Sequence, residues 1–100
     1  MELAVHLEVG PPQVLRVAGP LDITTAHVFA AEVSAASRGG THPVVLDLRG
    51  VDVLGSAGVS ELFMAREEHT DHGHRLRILA SSGSLAAKVL DLVGLEYEPQ

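Results

Sequence analysis

An α/β fold, with a mixed β-sheet covered by helices, follows from three features of the chain. Apolar residues recur at every second position from Leu3 to Val9, and a second strand-like stretch runs from Val14 to Ala18, with Gly10-Pro11-Pro12 between them. That is the pattern of an antiparallel hairpin. The stretch Pro43 to Arg66, PVVLDLRGVDVLGSAGVSELFMAR, opens as a strand and turns to helical spacing after Gly55-Ser56-Ala57-Gly58. Strand-like and helix-like pieces then go on alternating, which implies parallel βαβ units with right-handed crossovers.

Each element can be justified in turn. Leu3, Val5, Leu7 and Val9 share one face of the first strand, and the mixed second face places it at a sheet edge. Gly19-Pro20 is expected to end the second strand. Asp22 or Thr24 is positioned to cap a helix from about Thr24 to Ser37, whose buried stripe is Ala26, Phe29, Ala30, Val33 and Ala36 or Ser37. The glycines of Ser37–Pro43 stop it. Val44-Val45-Leu46 reads as a strand buried on both faces, with Asp47 at its end and a separate short piece at Val51–Leu54. Val59, Leu62, Phe63 and Arg66 fall at i, i+3, i+4 and i+7, giving a helix to about Asp71 that Gly73 ends. Leu76–Ala80 is the next strand, with Arg75 and Arg77 facing water. Ser81–Ser84 turns and caps a helix over Leu85–Val93, with Leu85, Val89, Leu92 and Val93 as its inner face and Gly94 as its stop. Glu96-Tyr97-Glu98 adds a short last strand.

Composition narrows the function. The 100 residues fit one domain, 1–100, and 46% hydrophobic content supplies a core. With only Phe29, Phe63 and Tyr97 aromatic, that core must be aliphatic. A net charge of -6 argues against nucleic acid, where binding is dominated by phosphate neutralisation, and against an anionic membrane surface. No apolar run approaches the ~20 residues that span a bilayer, and no secretory signal pattern opens the chain, so the cytoplasm is the expected compartment. Cysteine is absent, which removes disulfides and thiolate chemistry.

Few motifs carry chemistry. Gly55-Ser56-Ala57-Gly58 lacks the first glycine of a G-x-S-x-G nucleophile elbow, since Leu54 stands there. His69, Asp71, His72 and His74 bring metal-ligating types together, but across a glycine break; a solvated helix end is the expected reading, with no metal and no cofactor. His6, His27 and His42 are isolated and expected at the surface. Ser56 stands where a strand passes into a helix, so it serves either as a plain N-cap or as a serine at which a phosphate is tolerated. Gly55 and Gly58 flank it without side-chain bulk, leaving the backbone approachable.

The segment VVLDLRGVDVLGSAGVSEL resembles the signature of the STAS domain, named for sulphate transporters and anti-sigma-factor antagonists. Gly19-Pro20-Leu21-Asp22-Ile23-Thr24-Thr25-Ala26 is similar to that family's approach to its first helix, and Val89–Leu95 to its late helix ending in Gly-Leu. The three matches run in the right order over most of the chain. The resemblance implies a non-enzymatic antagonist that binds an anti-sigma factor with serine-kinase activity and frees a sigma factor. It implies Ser56 as the phosphoacceptor, with Asp22, Gly55, Ala57, Gly58 and Val59 facing the partner. A monomer or weak dimer is expected, without nucleic acid or membrane insertion. The alternative implied is a STAS-like regulatory subunit of a lipid-transport ABC ATPase complex. Two departures stand out: Gly55 replaces the family's usual Asp before the serine, and the final strand and helix are shortened.

Overall fold

The computed structural model describes residues 2–100. Their elements, in order, are β1 (Ala4–Glu8), β2 (Gln13–Leu21), α1 (Ala26–Ser37), β3 (Val44–Leu54), α2 (Ser56–Asp71), β4 (Arg77–Ala80), α3 (Leu85–Val93) and β5 (Glu98–Pro99). The strands lie side by side in chain order, β1-β2-β3-β4-β5. β1 pairs antiparallel with β2, and the β2–β3, β3–β4 and β4–β5 pairs are parallel. The hairpin followed by βαβ units is therefore present. Every crossover steps in the same direction along the sheet, so right-handed connections place α1, α2 and α3 on one face.

Alternation sorts the strands accordingly. Leu15, Val17, Leu46, Leu48, Ile78 and Ala80 point to the helices and join Phe29, Val33, Leu62, Ala65 and Leu90 in one buried cluster. Phe29 is the one aromatic ring fully enclosed among the described residues. The other face carries charge. Asp47 is 4% exposed although no helix covers it. Arg49 donates Nε to Asp47 Oδ1 at 3.0 Å and Nη2 to Oδ2 at 2.8 Å, and its backbone N–H reaches Oδ1 at 3.1 Å. Arg16 adds Nη1 to Oδ2 at 3.2 Å while its Nε donates to Glu8 at 2.9 Å. Val44 to Leu46 are thus buried on both faces as expected, and the burial runs on through Asp47 and Leu48, with arginine side chains rather than helices around Asp47.

Four expectations are corrected. Gly19-Pro20 does not end β2, which continues to Leu21: Gly19 takes φ +99°, open to glycine at little cost, and Pro20 pairs with Val53. β3 is one strand of 11 residues, because two irregularities in its pairing with β2 insert extra residues near Arg49 and Asp52 and so break the alternation. Asp47 therefore sits in mid-strand, not at the strand end. On α3 the buried residues are Ala86, Ala87 and Leu90, while Leu85 and Leu92 are 56% and 85% exposed and Val93 is 38% exposed. The two alanines let the helix approach the sheet closely, and that contact outweighs the larger side chains opposite.

The fourth correction concerns His69, which is fully buried rather than solvated. Its Nδ1 faces the Ala65 carbonyl oxygen at 2.8 Å and its Nε2 faces the Val44 N–H at 3.4 Å. A carbonyl requires the proton on Nδ1, and an N–H requires a lone pair on Nε2, so the neutral ring bridges α2 and β3. His72 and His74 turn instead to the carbonyls of Glu68 and Thr41. Among the described residues no three metal-ligating groups converge. His6, His27 and His42 are exposed, as expected.

His69→Ala is expected to lower stability by about 2–4 kcal/mol, since it opens a cavity and strands the Val44 N–H. Asp71→Ala, one exposed turn end away, should stay within about 0.5 kcal/mol; urea unfolding of both variants checks the pair. The hydrogen bond from Arg49, with the backbone N–H and the charge of Arg16, holds the Asp47 carboxyl below its ordinary value. A depressed folded-state pKa stabilises the fold fully above the unfolded value of about 3.9, and that part is lost as pH falls through the lower folded value. Asp47→Asn is expected to be less stable at neutral pH and to lose less on acidification, read from urea midpoints across pH.

Candidate functional site

The site is built where β2 and β3 end and α1 and α2 begin. Gly55 is the N-cap of α2, in extended conformation (φ -92°, ψ 174°), and Ser56 is the first residue inside the helix. Ser56 is therefore not the cap. Its side chain is exposed, and its hydroxyl makes no hydrogen bond with the described residues. The first intrahelical bond runs from Val59 N–H to the Gly55 carbonyl at 3.0 Å. The N–H groups of Ser56, Ala57 and Gly58 precede it and have no intrahelical acceptor, so the helix end presents donors and partial positive charge beside the hydroxyl.

Two contacts with β2 fix this turn. The Gly55 N–H donates to the Leu21 carbonyl at 2.9 Å. A β-carbon on Gly58 would stand 2.7 Å from Leu21 Cγ and 2.9 Å from the Leu21 oxygen, closer than real β-carbons come. Gly58 is buried, and the space beside it is filled by the chain's own strand, not left open to a visitor. Gly55 differs. A β-carbon there would lie 3.7 Å from Cα and Cβ of Asp22, an ordinary contact. Ala57 is half-buried, and the half-buried Val59 packs on the core.

Asp22 is held beside Gly55. Its Oδ1 accepts the Thr24 hydroxyl at 2.7 Å and the Thr24 N–H at 2.9 Å, and these bonds keep its carboxyl below the usual carboxylate range. Its own N–H donates to Thr25 Oγ1 at 3.0 Å, and that hydroxyl in turn donates to the Pro20 carbonyl at 2.8 Å. Asp22 therefore shapes the loop ahead of α1, whose N-cap is Thr25. The structure brings Asp22, Gly55 and Ser56 to one pole of the sheet. It also puts there an apolar group to which the sequence reading gave no role, Ile23, 83% exposed next to Asp22, and it leaves Val53, read as part of a strand, 44% exposed near the end of β3. The signal of Ile23 was an apolar residue with no place in any buried stripe. Ser60 and Met64 continue the exposed face of α2 from Ser56.

The STAS domain pattern matches residues 3–99. The chain belongs to the STAS family. An anti-sigma factor antagonist from Mycobacterium paratuberculosis is similar in structure, with a TM-score of 0.85 over 99% of this chain and 87% of that one, at 22% identity. SpoIIAA in its unphosphorylated form gives 0.72 over 97% and 89%, at 20% identity. The Bacillus cell fate determinant SpoIIAA in the phosphorylated form gives 0.73 over 97% and 91%, at 22% identity. At these identities the likeness is one of fold. In this STAS domain the serine turn lacks the preceding carboxylate, and the nearest acid is Asp22 on the adjoining loop. No helix of the described residues is long and apolar enough to cross a membrane.

Gly58→Ala is expected to destabilise the domain by about 1–3 kcal/mol through overpacking against Leu21. Gly55→Ala meets nothing closer than 3.7 Å. Its weaker cap is offset by the reduced freedom of the unfolded chain, for a net change within about 0.5 kcal/mol. Thermal or urea unfolding of the two single variants checks the contrast.

Proposed function

We propose that this STAS protein is a non-catalytic cytoplasmic regulator: an antagonist that binds an anti-sigma factor with serine-kinase activity, frees a sigma factor, and is switched off by phosphorylation of Ser56. One observation carries the reading, namely an exposed, unbonded hydroxyl on the first turn of α2, fixed to the core through Gly55, Gly58 and Leu21. A kinase can reach such a hydroxyl without unfolding anything. The docking surface is Ser56 with Asp22, Gly55, Ala57 and Val59, and Gly58 holds its floor. Fold likeness to proteins described as anti-sigma factor antagonists supports the same reading.

The chemistry suits a switch. A phosphoryl group adds about -1.5 to -2 charge at Ser56. Within the domain, the free N–H groups and the helix dipole offset that charge. At an interface it must be desolvated beside Asp22, and each 1.4 kcal/mol of cost is about tenfold in affinity. Gly55 fits a second reading no worse. A kinase that reads a carboxylate before the serine finds none, which suits a STAS-like regulatory subunit of a lipid-transport ATPase complex.

Binding of single variants to a purified anti-sigma kinase tests the first reading. Ser56→Ala should bind as wild type does and Ser56→Asp at least about tenfold more weakly; equal affinities overturn the switch. The 3.7 Å clearance admits a β-carbon and Asp is a good helix cap, so Gly55→Asp is expected to fold and to be phosphorylated faster with ATP, measured by phosphate incorporation. Co-purification of an ATPase subunit in place of a kinase selects the second reading.

A further inference from the structure

At the pole opposite Ser56 the chain forms a cleft of about 560 Å³. Its walls come from segments that precede strands: Pro11 and Pro12 before β2, Pro43 with Val45 at the start of β3, and Arg75 and Arg77 at the start of β4. The volume falls within the range of small-molecule sites, about 300–1,000 Å³. Three prolines make walls without N–H groups to satisfy, so the surface they present is apolar.

Charge distinguishes this cleft from the rest of the molecule. The chain carries -6 overall, yet among the described residues no carboxylate lines the cleft, while two arginines and His42 do. The arginines differ in commitment. Arg77 holds Glu98 with two bonds, at 2.7 and 2.8 Å, and is fixed. Arg75 touches only Glu96, at 3.4 Å, with side chains 77% and 85% exposed, a pair worth little in water. Gln13 lines the same cleft half-buried, and its amide makes no hydrogen bond with the described residues. A guanidinium and an amide are thus available at an apolar cleft.

We propose that this cleft binds a small carboxylic acid with an apolar body. The carboxylate meets Arg75 at the rim, with Gln13 beside it, and the hydrocarbon lies against Pro11, Pro12 and Pro43. An amine of the same size finds no carboxylate lining the cleft to pair with, and a short acid such as acetate gains too little buried apolar surface to stay.

Titration of the isotope-labelled protein with octanoate, followed by amide NMR shifts, tests this. The expected result is saturable binding with shifts at Gln13, His42, Val45 and Arg75. Arg75→Gln should weaken it at least about tenfold, a loss at the lower end of the range of a charge-assisted hydrogen bond, whereas Lys88→Gln on α3 leaves it unchanged. Octylamine and acetate at the same concentrations should produce no saturable shifts. The proposal is overturned if octylamine binds as well as octanoate, if the shifts fall outside the cleft, if Arg75→Gln binds as wild type does, or if octanoate gives no saturation by about millimolar concentration.

Discussion

Leu21 is the residue on which the site depends. It ends β2, it is fully buried, and it is touched twice by the turn that carries Ser56. Its carbonyl receives the Gly55 N–H at 2.9 Å, and its side chain leaves no space for a β-carbon on Gly58. The strand end and the helix start are therefore locked by a backbone hydrogen bond and by close packing. The position of Ser56 is inherited from the core instead of a mobile loop. A protein partner that reads one hydroxyl gains from this, because little ordering entropy is left to lose on binding.

The one-sided sheet explains where the remaining polar chemistry goes. Parallel sheets normally have helices on both faces. Here the crossovers all step one way, and the helices leave one face of β1–β5 uncovered. That face holds Glu8, Arg16, Asp47 and Arg49 in one network and Arg77 with Glu98 in a second pair. Asp47 is the costly member, a nearly buried carboxylate, and it is tolerable because two guanidiniums and a backbone N–H reach it. Its role is structural, and its place in mid-strand keeps it away from Ser56.

Much of the fold was legible because periodicity reports burial wherever a strand or helix is regular. The hairpin, the helix ending at Asp71 and the span Leu85–Val93 all came from spacing, and Ser84 caps its helix by accepting from the Ala87 N–H at 3.1 Å. The misses have physical causes. Two bulges destroyed the alternation of β3, so a single strand read as two pieces. On α3 side-chain size pointed to Leu85 and Leu92, but close approach selected Ala86 and Ala87. His69 lies in a polar string, and its partner Val44 is 25 residues away, so no local pattern could mark it as buried. At the site, the turn and its serine were visible, whereas the cap fell to Gly55 and the exposure of Ile23 depended on a loop that only the fold positions.

The segments that lead out of β2, β3 and β4, residues 21–26, 51–58 and 81–85, carry no Lys or Arg, and Asp22 lies beside the Ser56 turn. A phosphoryl group on Ser56 would thus find no cationic side chain in these segments. The helix N-terminus returns only about 0.3–1 kcal/mol at the surface, enough for the domain to tolerate the charge in water. It is not enough to bury that charge against another protein. On the proposed reading, the helix start that would let Ser56 be phosphorylated without unfolding would also leave the phosphorylated form unfit for a dry interface, with no rearrangement of the domain required.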